Sequence, residues 1–149
     1  MKRIIPIIFF FSIGFLYAQD PDSTSSGSNP DGTYTLIRVY NDEGVILSEI
    51  NYVNGRPNGE YRYYYCDGKL MEEGMWNRGH QIGILKRYDK NGNIAQFFNF
   101  DDHGNRVGNQ LYFYSTGTVR AEKLLDLDNK PVKIIRFNSE GKQKSHITL

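Results

Sequence analysis

The chain has 149 residues, of which 18 are basic and 17 acidic, and it contains one cysteine. The length fits one domain once a leader is removed. The balanced charge provides no basic stripe for nucleic acid and no strong attraction to anionic lipid, so charge does not indicate membrane association. A single cysteine cannot form an internal disulfide, which leaves Cys66 as a half-buried strand thiol or a partner for another chain.

Residues 1–18 have the pattern of a signal peptide. Lys2 and Arg3 form a positive n-region, residues 4–16 form an apolar run, and Ala18 is a small residue at a cleavage position. The apolar run is short for a membrane span, although an uncleaved anchor is the alternative. We therefore expect export to the periplasm, the cell surface or the medium, with Gln19 as the new N-terminus.

Residues 19–31 are polar and rich in Ser, Pro and Asp. Such a segment cannot bury enough apolar surface to offset the entropy of ordering, so we expect a disordered linker. The remaining residues, 32–149, form the predicted repeat domain.

Turn glycines recur through this domain at intervals of 24, 24, 25 and 24 residues. An aromatic residue stands four positions before each glycine, and an aliphatic residue stands two positions after the first four. Strand-forming runs broken by regular turns predict an all-β fold, an antiparallel meander of about five consecutive β-hairpin repeats. The glycines are Gly44, Gly68, Gly92, Gly117 and Gly141.

A three-residue loop ending in a left-handed glycine predicts which strand residues pair. The predicted pairs are Tyr40 with Ile46, Tyr64 with Leu70, Tyr88 with Ile94, and Phe113 with Val119. We expect these pairs to share one apolar core face with Ile50, Tyr52, Trp76, Phe98 and Phe100.

The other face is then expected to carry tyrosines, basic groups and a column of acids at Glu49, Glu73 and Glu122. Tyrosine and arginine supply many of the residues that dominate interface energetics, so this face is the predicted partner-binding surface. The alternative is that tyrosine simply suits a half-exposed strand and binds nothing. The candidate contact residues are Tyr61, Tyr63, Tyr65, Arg87, Tyr112 and Tyr114.

The repeat pattern resembles the MORN repeat in its bacterial variant, most clearly in GEYRYYYCDGKLMEEGMWNRGHQIG at residues 59–83. Thr35, Asn129 and Gln143 depart from the pattern, as terminal repeats often do. Proteins with this variant are often labelled antitoxins of the YwqK type, by similarity. The resemblance implies non-enzymatic binding of partner proteins, and for MORN proteins of the better-known type also of membranes.

No catalytic or cofactor-binding constellation is evident. Cys66 and the histidines fall in separate predicted turns, and Glu72 and Glu73 point to opposite faces of one strand. A metal shared by His80 and His103 would need adjacent hairpin loops to bend together. We therefore expect a binding or assembly protein that is not an enzyme and has no cofactor or metal, or alternatively an immunity-like antitoxin that neutralises a toxin.

Overall fold

The computed structural model describes residues 27–29 and 32–149, with side chains from Tyr34 onward. Eleven strands form one antiparallel sheet in simple chain order, which confirms the predicted all-β meander. The strands are β1 (Gly27–Asn29), β2 (Gly32–Tyr40), β3 (Ile46–Val53), β4 (Arg56–Tyr64), β5 (Leu70–Asn77), β6 (His80–Tyr88), β7 (Ile94–Phe100), β8 (Gly108–Phe113), β9 (Val119–Leu125), β10 (Pro131–Phe137) and β11 (Gln143–Thr148).

The N-terminal predictions fall mainly beyond this part of the chain. The predicted signal peptide and residues 19–26, 30 and 31 of the predicted linker lie outside the described residues. Residues 27–29 of that linker form β1 and pair with the start of β2, which differs from the disorder expected there. Pairing along a sheet edge uses backbone groups alone, so this segment needs no apolar side chains.

The hairpin loops at one edge of the sheet follow the predicted geometry. In the third repeat the Asp89 amide donates to the Asn93 carbonyl at 2.8 Å, and the Gly92 amide donates to the Asp89 carbonyl at 2.9 Å. Gly92 has a φ of 86°, the left-handed conformation that ends a three-residue loop. All four predicted cross-strand pairs, Tyr40–Ile46, Tyr64–Leu70, Tyr88–Ile94 and Phe113–Val119, are confirmed.

The predicted division of residues between the two faces is wrong, because a bulge follows each of these pairs. Tyr64 pairs with Leu70, but the preceding Tyr63 pairs with Glu72, so Met71 is an extra residue. One extra residue exchanges the faces of everything beyond it. The tyrosines that precede the turns therefore lie on the face opposite Trp76 and Phe98.

At the opposite edge of the sheet the first two connections, Asn54–Gly55 and Arg78–Gly79, are tight turns, whereas the connections that begin at Asp101 and Asp126 are longer loops. Asn54 and Gly55 both have positive φ, 50° and 73°, which is the geometry of a two-residue type I′ turn. Further along β4, β6 and β8 stands a glycine with positive φ. Gly59, with φ 99°, sits in a second bulge, where Ile50 pairs with Tyr61 and Tyr52 with Pro57. These glycines bend the strands without ending them.

The buried side chains lie on a single face of the sheet. Tyr61, Leu85 and Phe98 are each 2% exposed. We call this side the aromatic face, defined by Tyr61, Tyr63, Trp76, Phe98 and Tyr112. The other side is the ion-pair face, defined by Arg38, Glu49, Arg62, Glu73 and Lys86. Across the described residues no helix is long and apolar enough to cross a membrane.

Candidate partner-binding face

A polar and aromatic row crosses six neighbouring strands on the aromatic face. The register places Tyr63 opposite Glu72, Glu72 opposite Arg87, and Gln96 opposite Tyr112. Three of the predicted contact residues, Tyr63, Arg87 and Tyr112, are thus brought into one line. The full row is Ser48, Tyr63, Glu72, Arg87, Gln96 and Tyr112.

Tyr61 lies beneath this row and is not an exposed contact residue. Its ring is 5.2 Å from that of Tyr63 and 5.4 Å from that of Trp76, measured between centroids. It also lies flat against Gly74, where a Cβ atom would come within 2.8 Å of the Tyr61 ring. The bulge at Met71 explains this correction, because it places Trp76 on the same face as Tyr61.

A hydrogen-bond chain fixes the centre of the row. The Gln81 amide donates to the Tyr61 hydroxyl at 2.6 Å, and that hydroxyl donates to Glu72 Oε1 at 2.8 Å. Arg87 Nε donates to the other Glu72 oxygen at 2.5 Å, while its Nη1 reaches Gln96 Oε1 at 3.3 Å. Glu72 therefore holds a buried phenol and an exposed guanidinium in place at once.

Burial and the hydrogen bond to Glu72 both raise the pKa of Tyr61, burial being the larger cause. The pKa of Tyr63 is raised as well, by burial and then by the nearby negative charge of Glu72. Both phenols stay neutral across the physiological range. Together with Arg87 they present aromatic rings and one cation, a combination suited to protein contacts.

Tyr65 and Tyr114 have a different role from the other candidates. The Tyr65 hydroxyl donates to the Tyr88 carbonyl at 2.8 Å, and the Tyr114 hydroxyl donates to the Phe137 carbonyl at 2.9 Å. Each residue opens a hairpin loop and bonds to the end of the following ascending strand. These two tyrosines fasten neighbouring hairpins at the turn edge and are not part of the central row.

The ion-pair face carries alternating charges in register from β2 to β6. Arg38 Nε lies 2.8 Å from Glu49 Oε1, and Lys86 Nζ lies 3.4 Å from Glu73 Oε1. Arg62 stands between the two glutamates in the paired register. The glutamates Glu49 and Glu73 therefore lie opposite the buried core, but not, as expected, on the face that carries Tyr63, Arg87 and Tyr112.

Two tyrosines before the turns also bond to these acids. The Tyr64 hydroxyl donates to Glu49 and the Tyr88 hydroxyl donates to Glu73, each at 2.7 Å. Burial and these hydrogen bonds raise the pKa of each tyrosine to about 12. The pKa of Glu49 is lowered by Arg38 and then Tyr64, and that of Glu73 by Tyr88 and then Lys86.

A cavity of about 430 Å³ opens beside the row, between β7, β8 and β9. The sequence offered one signal for it, the single 25-residue interval among intervals of 24. Arg106, Lys123 and Gln110, which line the cavity, were not among the predicted contact residues. The lining includes Phe100, Arg106, Gln110, Tyr112, Lys123 and Leu125.

Metal-binding geometry is absent from the part of the chain that the structure describes. No group of three His, Cys, Asp or Glu side chains converges there as a metal site requires. His80 lies against Gly104, in the turn that also holds His103, so the two histidine-bearing turns are neighbours.

Comparison with known proteins identifies the repeat type. The family model described as a MORN repeat variant matches residues 36–54 and 57–78, which are the first two repeats. No curated protein matches the chain. The two matched segments establish MORN-type hairpins in the N-terminal part of the sheet.

Solved structures give only distant similarity. The match to a crystal structure of TarM has 12% sequence identity and a TM-score of 0.42. It covers 74% of this chain and 21% of the TarM chain. The match to the GtfA/B complex bound to UDP and GlcNAc has 14% sequence identity and a TM-score of 0.31. It covers 88% of this chain and 25% of the matched chain. This chain thus spans a quarter or less of those proteins, and similarity this low does not bear on function.

Proposed function

We propose that this chain is an exported, non-enzymatic binding or assembly module that contacts a partner protein through the aromatic face. The MORN repeat variants indicate a repeat-based binding module. The row containing Tyr63, Arg87 and Tyr112 supplies the residue types that dominate protein interfaces.

The observation that carries this proposal is the support beneath the row. Arg87 is held by Glu72 and Gln96, and Tyr63 packs on the buried Tyr61. Side chains that are already fixed lose less entropy when a partner covers them. The row is therefore a preorganised contact surface on a rigid sheet.

The test is a paired measurement of binding and stability on Tyr63→Ala/Tyr112→Ala. The mature chain, used as bait in envelope extract, identifies the partner, and titration of the purified partner then gives the affinity. We expect the double variant to weaken binding about thirtyfold or more, because a desolvated interface tyrosine can contribute about 2 kcal/mol. Both rings also pack on buried aromatic side chains, so the variant should lose some stability, and the affinities are compared at a temperature where both proteins are folded.

A matched control is available on the ion-pair face. Tyr34 and Met75 are exposed there, by 43% and 42%, so Tyr34→Ala/Met75→Ala removes comparable apolar surface from the opposite side. This control should bind as the wild type does. Equal loss in both double variants, or unchanged affinity in the Tyr63/Tyr112 variant with its fold intact, would refute the proposed surface.

The resemblance to antitoxins of the YwqK type supplies the second candidate, in which the partner is a toxin. The same face would then cover the toxin and block its activity. A toxin-like gene beside this one, and rescue of cells from that toxin by the mature chain, would support this version. Co-purification of envelope proteins, with no effect on the toxin, would support assembly instead.

Export is tested separately by mass spectrometry of the periplasmic or secreted form. The basic n-region and the apolar run before Ala18 lead us to expect an N-terminus at Gln19. Soluble protein that retains Met1 would contradict export by this route.

A further inference from the structure

The cavity between β7, β8 and β9 lies where the sheet is least regularly paired. Two cross-strand pairs, Gln96–Tyr112 and Phe97–Leu111, join β7 to β8, and beyond them there is one isolated bridge from Phe100 to Arg106. The longer turn before β8 and the bulge at Gly108 separate these strands on the aromatic face. The opening has a volume of about 430 Å³, within the range of small-ligand sites.

Two cations line this cavity without an acidic partner. Among the described residues no carboxylate lies within 4.0 Å of Arg106 or Lys123, and the cavity lining contains no Asp or Glu. The Arg106 guanidinium lies over the Phe98 ring, 4.2 Å from its centroid. That stacking supports the cation and leaves its donors available to an anionic group.

A buried acceptor lies in the same wall. Gln110 is 1% exposed, and its Nε2 donates to the Val107 carbonyl at 2.8 Å and to the Asn99 carbonyl at 3.2 Å. These two bonds fix the amide orientation, which leaves Oε1 buried without a hydrogen-bond partner among the described residues. Leaving a buried acceptor unpaired is unfavourable, so an N–H or O–H donor brought to it would be stabilised.

A ligand that fits this cavity should therefore combine three chemical groups. It should carry a carboxylate for Arg106 and Lys123, an N–H group for Gln110, and an apolar group to lie beside Phe100 and Leu125. The last residue of a polypeptide has all three, namely its α-carboxylate, its amide N–H and its side chain.

We propose that this cavity binds the C-terminal residue of a partner protein, with an apolar side chain at that position. The proposal rests on the proposed function and deepens it, because Tyr112 belongs both to the contact row and to the cavity lining. Gln110 Oε1 is covered in the free protein, so a small shift of the surrounding side chains accompanies binding.

The test uses N-acetyl-L-leucine as the probe and needs no identified partner. Titration into the isotope-labelled protein, followed by NMR, should shift resonances of Arg106, Gln110 and Lys123 with a dissociation constant in the millimolar range, as is usual for so small a ligand. N-acetyl-L-leucinamide has the same shape without the charge and should bind at least tenfold more weakly. Equal binding of the two compounds would overturn the proposal.

Variants assign the contacts. Arg106→Gln and Lys123→Gln should each weaken the binding of N-acetyl-L-leucine at least tenfold. The matched changes Arg136→Gln and Lys144→Gln, outside the cavity, should leave that binding unchanged. Gln110→Met should weaken N-acetyl-L-leucine but leave the already weaker binding of 4-methylpentanoate, which lacks the N–H group, unchanged. Probe binding that survives both cavity cation variants, or equal loss in the matched variants, would overturn the site.

An acidic side chain is the other source of a carboxylate. The α-methylamide of N-acetyl-L-glutamate represents it, and we expect this compound to bind more weakly than N-acetyl-L-leucine. If it binds as tightly, the cavity does not select a chain end. If no probe binds while Tyr63→Ala/Tyr112→Ala still weakens partner binding about thirtyfold or more, this inference fails and the proposed function stands.

Discussion

At the scale of single residues, Gly74 shows how one absent side chain organises the aromatic face. Tyr61 packs directly over it, and a Cβ at this position would lie 2.8 Å from Tyr61 Cε1 and 2.9 Å from its hydroxyl. The Gly74 backbone itself can accommodate other residues, since its φ is not positive. Steric exclusion by the tyrosine ring is therefore the reason for glycine here.

This packing predicts that Gly74→Ala destabilises the protein by about 1–3 kcal/mol, the usual cost of adding a methyl group to a filled site. A double-mutant cycle with Tyr61→Leu checks the cause by chemical denaturation. Without the ring, alanine should become neutral or stabilising by about 0.5–1 kcal/mol, because glycine is unfavourable within strands. The same cost in both backgrounds would mean that the ring is not responsible.

The tyrosine–glutamate pairs of the ion-pair face predict a particular dependence of stability on pH. Because the pKa values of Glu49 and Glu73 are lowered in the folded protein from 4.5, their contribution is present above that value and is lost as pH falls through the folded values. Tyr64 and Tyr88, with pKa values raised to about 12, contribute below the ordinary tyrosine value of 10.0 and lose that contribution as pH rises through 12.

Thermal melts from neutral to acid pH check the acidic limb of this profile. Glu49→Gln/Glu73→Gln should be less stable at pH 7 and should lose less stability than the wild type on acidification. Glu43→Gln, an exposed turn residue, is the control and should follow the wild-type profile. Parallel profiles for the double variant and the wild type would contradict the assignment.

At the scale of elements, the loops were predictable and the faces were not. The spacing of aromatic, glycine and aliphatic residues defines the loop length, and the pairs it predicted are present. The single-residue bulges have no such signal, because Leu47 and Met71 are ordinary strand residues. Tyr63, Arg87 and Tyr112 nevertheless share a face, since each stands one position before the aromatic residue that precedes its turn.

The second set of bulges shows how asparagine supports a bent strand. Asn51 Nδ2 donates to the Glu60 carbonyl at 2.7 Å, just after Gly59, and Asn99 makes the same bond to the Asn109 carbonyl after Gly108. Met75 stands at the equivalent position of the hairpin between them and is 42% exposed. The middle bulge therefore lacks this bond and presents an apolar side chain to water.

We expect Met75→Asn to stabilise the protein by about 0.5–1.5 kcal/mol, the net worth of a typical hydrogen bond, by donating to the Ile84 carbonyl. Met75→Asp has the same shape but cannot donate, so it should not stabilise and serves as the control. Denaturant unfolding gives both values. An equal effect of the two substitutions would show that loss of exposed methionine, and not the amide, is responsible.

At the scale of the whole molecule, the sheet has the properties of a linear array. Among the described residues the strands pair in chain order, so each hairpin pairs with its sequence neighbours. Sequence periodicity is sufficient to predict such an architecture, because every repeat contains the same local signals. The cavity could not be predicted in the same way, since Arg106, Gln110 and Lys123 meet only through the register of three strands and one longer repeat interval.

The linear array predicts which strands lose stability when Trp76 is substituted. Its ring packs on Tyr61 in the neighbouring strand, so Trp76→Ala should cost about 3–5 kcal/mol, as large aromatic truncations in packed sites do. Trp76→Phe should cost much less, because it keeps an aromatic ring and removes Nε1, a buried donor without a partner among the described residues.

Amide hydrogen exchange should show the greatest loss of protection in β4, β5 and β6 and the least in β10 and β11, since coupling between repeats passes through nearest neighbours. A loss below about 1 kcal/mol would mean that Trp76 is not part of the packed face, whereas uniform loss along the chain would mean that the eleven strands unfold as one cooperative unit.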